Sequence, residues 1–160
     1  MVRLEQLNKI SASSLLKMEC PEFETRPWVD GPPLNQRRIA LISTAGLHRH
    51  DDRPFTIQSS PAQEWPADYR VIPGDSSASD LMMSHISPNF DRTGFQQDWN
   101  VVFQLDRLRE LADTGFIGSL ADFHYSFMGA TDPRRMEPSG RRLASLLKDD
   151  HVDSALLVPV

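Results

Sequence analysis

The chain has 160 residues, enough for one compact domain, and its 17 Lys and Arg against 22 Asp and Glu give a net charge of −5, which excludes a general nucleic-acid binder because phosphate neutralisation needs a basic face. With 39% hydrophobic and 24% charged residues it is too apolar for disorder. No apolar run approaches the ~20 residues of a membrane helix and the N-terminus lacks a signal-peptide core, so a cytoplasmic protein without a membrane partner is expected.

Residues 1–37 read as an arm, in which Pro21, Pro27, Pro32 and Pro33 break any helix beyond a short one within residues 4–18. Residues 38–160 read as an α/β domain. Ile39, Ala40, Leu41 and Ile42 form a continuous apolar run closed by Ser43, Thr44, Ala45 and Gly46, the pattern of a strand buried on both faces of a parallel sheet. A polar loop with Pro54, Pro61 and Pro66 leads to a second strand at Tyr69, Arg70, Val71 and Ile72, stopped by Pro73 and Gly74. Ser77 followed by Asp80 resembles a capping box and predicts a short helix through Leu81, Met82 and Met83. After an irregular stretch, Leu105, Leu108, Leu111 and Ala112 recur at helical spacing, with Gly115 as a stop. Alternation over residues 123–128 predicts a third strand, residues 138–148 a second amphipathic helix, and Ala155, Leu156, Leu157 and Val158 a fourth strand. The predicted fold is therefore α/β, a Rossmann-like or flavodoxin-like open parallel sheet. No covering helix follows the last strand, so the sheet is expected to be truncated there, as in a fragment or a chain completed by a partner.

In an open parallel sheet, ligands bind beyond the carboxyl ends of the strands. That rule selects residues 44–48, Met128 with Gly129, Val160 and, from the second strand, Gly74 and Asp75. Gly46 and Gly74 lack dinucleotide or P-loop spacing. His48 and His50, with Asp51 and Asp52 beside them, offer two of the ligands that a metal-dependent hydrolase needs. No spacing chooses a third among His85, Asp106, His124 and His151, and a solvated loop with hydrogen-bonding imidazoles is the leading explanation of the pair. Asp75, Ser84 and His85 suggest an acid, a nucleophile and a base, but Ser84 lacks the G-x-S-x-G elbow, and a helix cap explains Asp75. Asp106 and Arg107 open the predicted helix, where the carboxylate complements the dipole. Met82, Met83 and Met128 are expected in the core. The lone cysteine, Cys20, excludes an intramolecular disulfide and an all-cysteine metal site. A noncatalytic interaction subunit docking through the last strand's edge is a further alternative.

Several phrases occur in a telling order: Ile39 through His48, then Ile72-Pro73-Gly74-Asp75, Ser84-His85, Asn100 with Val102 and Phe103, Leu105-Asp106-Arg107-Leu108-Arg109-Glu110-Leu111, Ile117-Gly118, Phe127-Met128-Gly129, Leu146-Leu147-Lys148 and Val152-Asp153. Together they resemble the selenoprotein B family, the substrate-activating subunits of glycine, sarcosine, betaine and D-proline reductases. The resemblance spans residues 38–160 and is most specific over residues 100–118.

The resemblance implies that selenocysteine or cysteine follows the strand ending at Val160. No catalytic nucleophile then lies within residues 1–160, and a UGA codon read as stop would end the chain there. It also implies selenolate attack on the α-carbon of an amino acid held as a Schiff base on a partner subunit's pyruvoyl group, with reductive C–N cleavage and electrons from thiols. A selenolate suits this step because its low pKa keeps it ionised at neutral pH. This chain itself is expected to bind no cofactor or metal; the implied partners are other reductase-complex subunits and a small amino-acid substrate. Gly46, His48, Gly74, Asp75, His85, Asp106 and Arg107 are the substrate-pocket candidates, since they fall in family phrases near strand or helix ends. The short arm is similar to the D-proline type, whereas Gln104 and residues 58–68 depart from the pattern and leave the substrate open.

Overall fold

The computed structural model describes residues 3–17, 22, 24, 26–57, 65–87, 90–129 and 131–160. Cys20 and most of residues 58–68 lie outside them. The arm holds a 3₁₀ turn at Leu4–Gln6 and a helix, α1, at Lys9–Leu16. A further 3₁₀ turn, Leu34–Gln36, leads into the domain.

The continuous apolar run becomes the central strand, β1 (Arg38–Ser43), with Ala40 and Leu41 fully buried. It pairs in parallel with β5 (Ser119–Leu120), β6 (Phe123–Phe127) and β7 (Ser154–Val158). Ile39 is flanked by Leu120 and Ser154, and Ile42 by Tyr125 and Leu157. Thus β5 and β6 follow one another along one edge of β1, and β7 lies along the other. β3 (Tyr69–Pro73) adds to the far side of β6 and completes a five-stranded sheet.

The expected open α/β architecture with its mostly parallel sheet is present, but two details differ. β3 runs antiparallel to β6, with Ile72 opposite His124 and Pro73 opposite Phe123, so its carboxyl end points away from those of β1, β6 and β7. The predicted helix after Ser77 is a single 3₁₀ turn, Ala78–Asp80. The capping box does form, with the Asp80 carboxylate accepting from the Ser77 N–H at 2.7 Å. The chain then extends into β4 (Leu81–Met83), which pairs antiparallel with β2 (Leu47–Arg49) in a second small sheet. Cross-strand pairing overrides the local helix signal there and leaves Met82 46% exposed, outside the core expected for it.

Helices cover both sheet faces. Short turns at Thr93–Gln97 (α2) and Trp99–Val101 precede α3 (Leu105–Asp113), whose buried Leu105 and Leu108 pack with Ile39, Leu41, Ile72 and Phe103. Each such leucine contributes about 1.5–3 kcal/mol on burial. On the other face α4 (Pro133–Asp149) packs Leu143, Met136 and Leu147 against Tyr125, Phe127, Ile42 and Tyr69. Asp132 caps α4 by accepting from the Arg134 N–H at 2.9 Å, so this helix starts five residues before the predicted boundary and runs through Pro138. No helix among the described residues is long and apolar enough to cross a membrane.

Candidate functional site

β1, β6 and β7 end together because they are parallel, and their carboxyl ends gather Thr44, Gly46, Met128, Gly129 and Val160. The Thr44 N–H donates to the Val158 carbonyl at 3.1 Å, continuing the ladder. Pro159 has no N–H to offer, and one residue on the Val160 N–H donates to Thr44 Oγ1 at 2.9 Å. A single threonine thereby holds the end of β7 through both its backbone and its side chain.

Gly46 joins this edge to the small sheet. Its N–H donates to the Phe127 carbonyl at 2.8 Å, and its own carbonyl accepts from the Ser84 N–H at 2.9 Å. With φ at +69° and the place of a Cβ only 3.1 Å from the His85 backbone, this position excludes a side chain on both conformational and steric grounds. His85 is thus brought against the strand ends and is buried there, not in the surface turn that its local sequence suggests. It is 4% exposed, its ring lies over Phe90 with centroids 4.5 Å apart, and its Nδ1 is buried without a partner among the described residues. Burial first, and the nearby Arg92 guanidinium second, push its pKa below the ordinary histidine value, so the ring is neutral at physiological pH. Arg92 also donates to the His85 carbonyl. Ser84 does not present a nucleophile: its Oγ accepts from the Phe55 N–H at 2.8 Å.

The other candidates lie elsewhere. Since β3 is antiparallel, Gly74 and Asp75 fall at the opposite edge, where the Gly74 N–H donates to the Asp122 carbonyl at 2.7 Å. Asp106 joins that edge through Arg109, which pairs with it at 2.8 Å and donates to the Gly74 and Ser76 carbonyls at 2.8 and 2.7 Å. The Asp106 carboxylate also accepts from Trp99 Nε1 at 2.6 Å and Asn100 Nδ2 at 3.0 Å. Burial raises its pKa, but these hydrogen bonds together outweigh that and hold it below the usual carboxylate range. Asp106 is therefore the knot tying α3 to the β3 turn. Arg107 is exposed and pairs with Glu110 at 2.9 Å. Arg109, which the sequence pattern placed only within the helix, is the organising cation here; its i, i+3 spacing from Asp106 is the one signal that marks it.

His48 is buried in β2 with Nδ1 2.8 Å from the Arg49 carbonyl, while the exposed His50 places Nε2 2.9 Å from the Ser79 carbonyl. His50 shares an open cavity of about 350 Å³ with Asp75, Arg49, Asp51 and Asp80. Among the described residues no group of three His, Cys, Asp or Glu side chains is placed to hold a metal ion, so the hydrolase alternative gains no third ligand. His124, one of the ligands considered, is fully buried with Nδ1 accepting from the Leu41 N–H at 3.0 Å.

The strand edge that gathers Thr44, Gly46 and His85 lies in a chain with known relatives. The chain is 35% identical over 126 residues to D-proline reductase subunit gamma of Acetoanaerobium sticklandii, an overlap of 78% of this chain and 49% of the relative. It is 30% identical over 152 residues to the sarcosine reductase complex component B subunit beta of Peptoclostridium acidaminophilum, covering 88% of this chain and 34% of the relative. A glycine reductase complex component B subunit gamma of Symbiobacterium thermophilum is 30% identical over 141 residues, 86% of this chain and 32% of its own length. The chain thus spans from 32% to 49% of the length of these relatives, each a subunit of a reductase or reductase complex. No solved structure matches it. The family model for glycine/sarcosine/betaine reductase selenoprotein B matches residues 15–160, and the chain belongs to that family.

Proposed function

We propose that these residues form part of a substrate-activating subunit of an amino-acid reductase that acts on D-proline, glycine, sarcosine or betaine, with the attacking selenocysteine or cysteine outside residues 1–160. The supporting observation is the convergence of three parallel strand ends at Thr44, Met128 and Val160, with the neutral His85 packed against them, in a chain of this family. The only cysteine, Cys20, lies in the arm, and the chain covers about half of the D-proline reductase subunit.

In the proposed reaction a selenolate or thiolate attacks the α-carbon, and the C–N bond breaks with its electron pair leaving on nitrogen, which takes a proton. A dithiol then releases the carbon, so that one C–N bond and two S–H bonds become C–H, N–H and S–S. Attack from a strand end gains from fixed orientation. For a substrate with a primary or secondary amine, a pyruvoyl group on a partner subunit would supply the electron-poor carbonyl that activates it, whereas the quaternary nitrogen of betaine can leave directly as a neutral tertiary amine. This chain's share is to fix the strand edge through Thr44 and to keep it dry through His85, Phe90 and Met128.

The test begins with the genomic codon after Val160: an in-frame UGA or cysteine codon with continuing coding sequence is expected, and a UAA or UAG codon followed by none would overturn the proposal. The whole gene product, combined with its partner subunits and dithiol, should then consume one of the four substrates. Turnover by the 160-residue chain alone would show that the nucleophile is misplaced.

A further inference from the structure

At the edge opposite the candidate site, where β1 and β6 begin and α4 ends, an open cavity of about 550 Å³ is lined by Arg38, Phe123, Tyr125, Leu146, Asp149 and Asp150. Its floor is apolar. Phe123 and Leu146 are 44% and 39% exposed there, and Tyr125 is held edge-on against Tyr69 with centroids 5.7 Å apart.

Its rim is acidic. Asp150 accepts from the Asp122 and Phe123 N–H groups at 2.8 and 3.3 Å and pairs with Arg38. Asp122 also pairs with Arg38, at 2.8 Å. One guanidinium therefore serves two carboxylates and leaves Asp149, exposed at the end of α4, without an ion pair or side-chain hydrogen bond among the described residues. A helix C-terminus carries partial negative charge, so two consecutive aspartates there are destabilising unless a cation faces them. Arg38 answers for Asp150, while Lys148 of the same turn and His151, which also lines the cavity, make no ion pair with Asp149 among the described residues.

A second, independent feature is the Tyr125 side chain. It is 2% exposed, lines this cavity, and its hydroxyl makes no hydrogen bond among the described residues.

We propose that this cavity binds a small organic ammonium ion, with its carbon body on Phe123, Tyr125 and Leu146 and its charge toward Asp149 and the Tyr125 hydroxyl. Aromatic faces beside carboxylates are the surroundings in which an ammonium is attracted by ring and charge together. The site is independent of the reductase proposal, because it shares no residue with the strand edge at Thr44 and Gly46.

The test is a titration of the ¹⁵N-labelled 160-residue chain with n-butylammonium and, at matched ionic strength, with butanoate. Saturable shifts confined to the amides of residues 38, 122–125 and 146–151 are expected with the cation and not with the anion. Asp149→Asn, at an exposed position, should weaken binding at least threefold without lowering the melting temperature, and Tyr125→Phe should do so to a similar degree. Equal responses to the two ions, shifts that do not saturate, or unchanged affinity in both variants would overturn the proposal.

Discussion

His124 should make the fold acid-sensitive by an amount that can be worked from its surroundings. The ring is fully buried against Phe103, its Nδ1 accepts from the Leu41 N–H of the central strand, and its protonated Nε2 has no partner among the described residues. Burial, together with the positive charges of Arg109 and Arg38 and against the opposing pull of Asp150, lowers its pKa from 6.5 to about 4. Above pH 6.5 the ring is neutral both folded and unfolded, and stability does not depend on it. As pH falls below 6.5 the unfolded chain takes up a proton that the folded chain refuses, so stability drops by about 2 kcal/mol at pH 5 and about 3 kcal/mol at pH 4. His124→Asn keeps an oxygen acceptor near the place of Nδ1 but cannot titrate. It should be about 2 kcal/mol less stable than the parent at pH 7, because the ring is lost from the core, and should equal or exceed it at pH 4. Urea unfolding of both proteins from pH 7 to pH 4 provides the comparison, with the contributions of depressed carboxylates such as Asp106 and Asp150 cancelling in the difference. Two stability curves that run parallel across this range would refute the reasoning.

Gly46→Ala forces an L-residue to φ +69° with its methyl 3.1 Å from the His85 backbone and should lower stability by about 1–3 kcal/mol, read in thermal melts. His151 ends α4 at φ +54°, where glycine is favoured, so His151→Gly should raise stability by about 0.5–1 kcal/mol; a lower melting temperature would contradict this account of the helix end. Asp106→Ala leaves Trp99 Nε1 without its acceptor and Arg109 without its carboxylate partner and should destabilise by about 2–3 kcal/mol, whereas Arg107→Ala should change stability by less than about 0.5 kcal/mol. On the edge strand Leu157 is 66% exposed and Leu156 40%, so Leu157→Lys should reduce self-association in sedimentation experiments; an unchanged oligomer distribution would place any contact elsewhere.

The local pattern carried most of the framework. The unbroken apolar run at residues 39–42 could be stable only as a strand covered on both faces, and it is the centre of the sheet. The spacing of Leu105 and Leu108 fixed one face of α3, and the alternation after Phe123 fixed β6, because a period of 3.6 or 2 states which side chains share a face. The period put Leu105 and Leu108 in the core, left Leu111 36% exposed, and gave each candidate residue only a position along the chain. Whether they met was another matter.

What the sequence by itself determined is the α/β class, the main elements, the family, and the pairing of Gly46 with the end of the central strand. Strand direction belongs to tertiary structure, because alternation reads the same whichever way a strand enters the sheet. β3 enters antiparallel, and that alone separates Gly74 and Asp75 from Gly46 and His85. The three-residue strands β2 and β4 are too short to carry a period, and only their mutual pairing turned a capping-box signal into an extended segment that delivers His85 to the strand ends. Buried hydrogen bonds such as Leu41 N–H to His124, and the clamp from Arg109 to the Gly74 turn, join residues 83 and 35 positions apart. No local pattern encodes such contacts, because they arise only where packing removes water and leaves each polar group to find its partner in the protein.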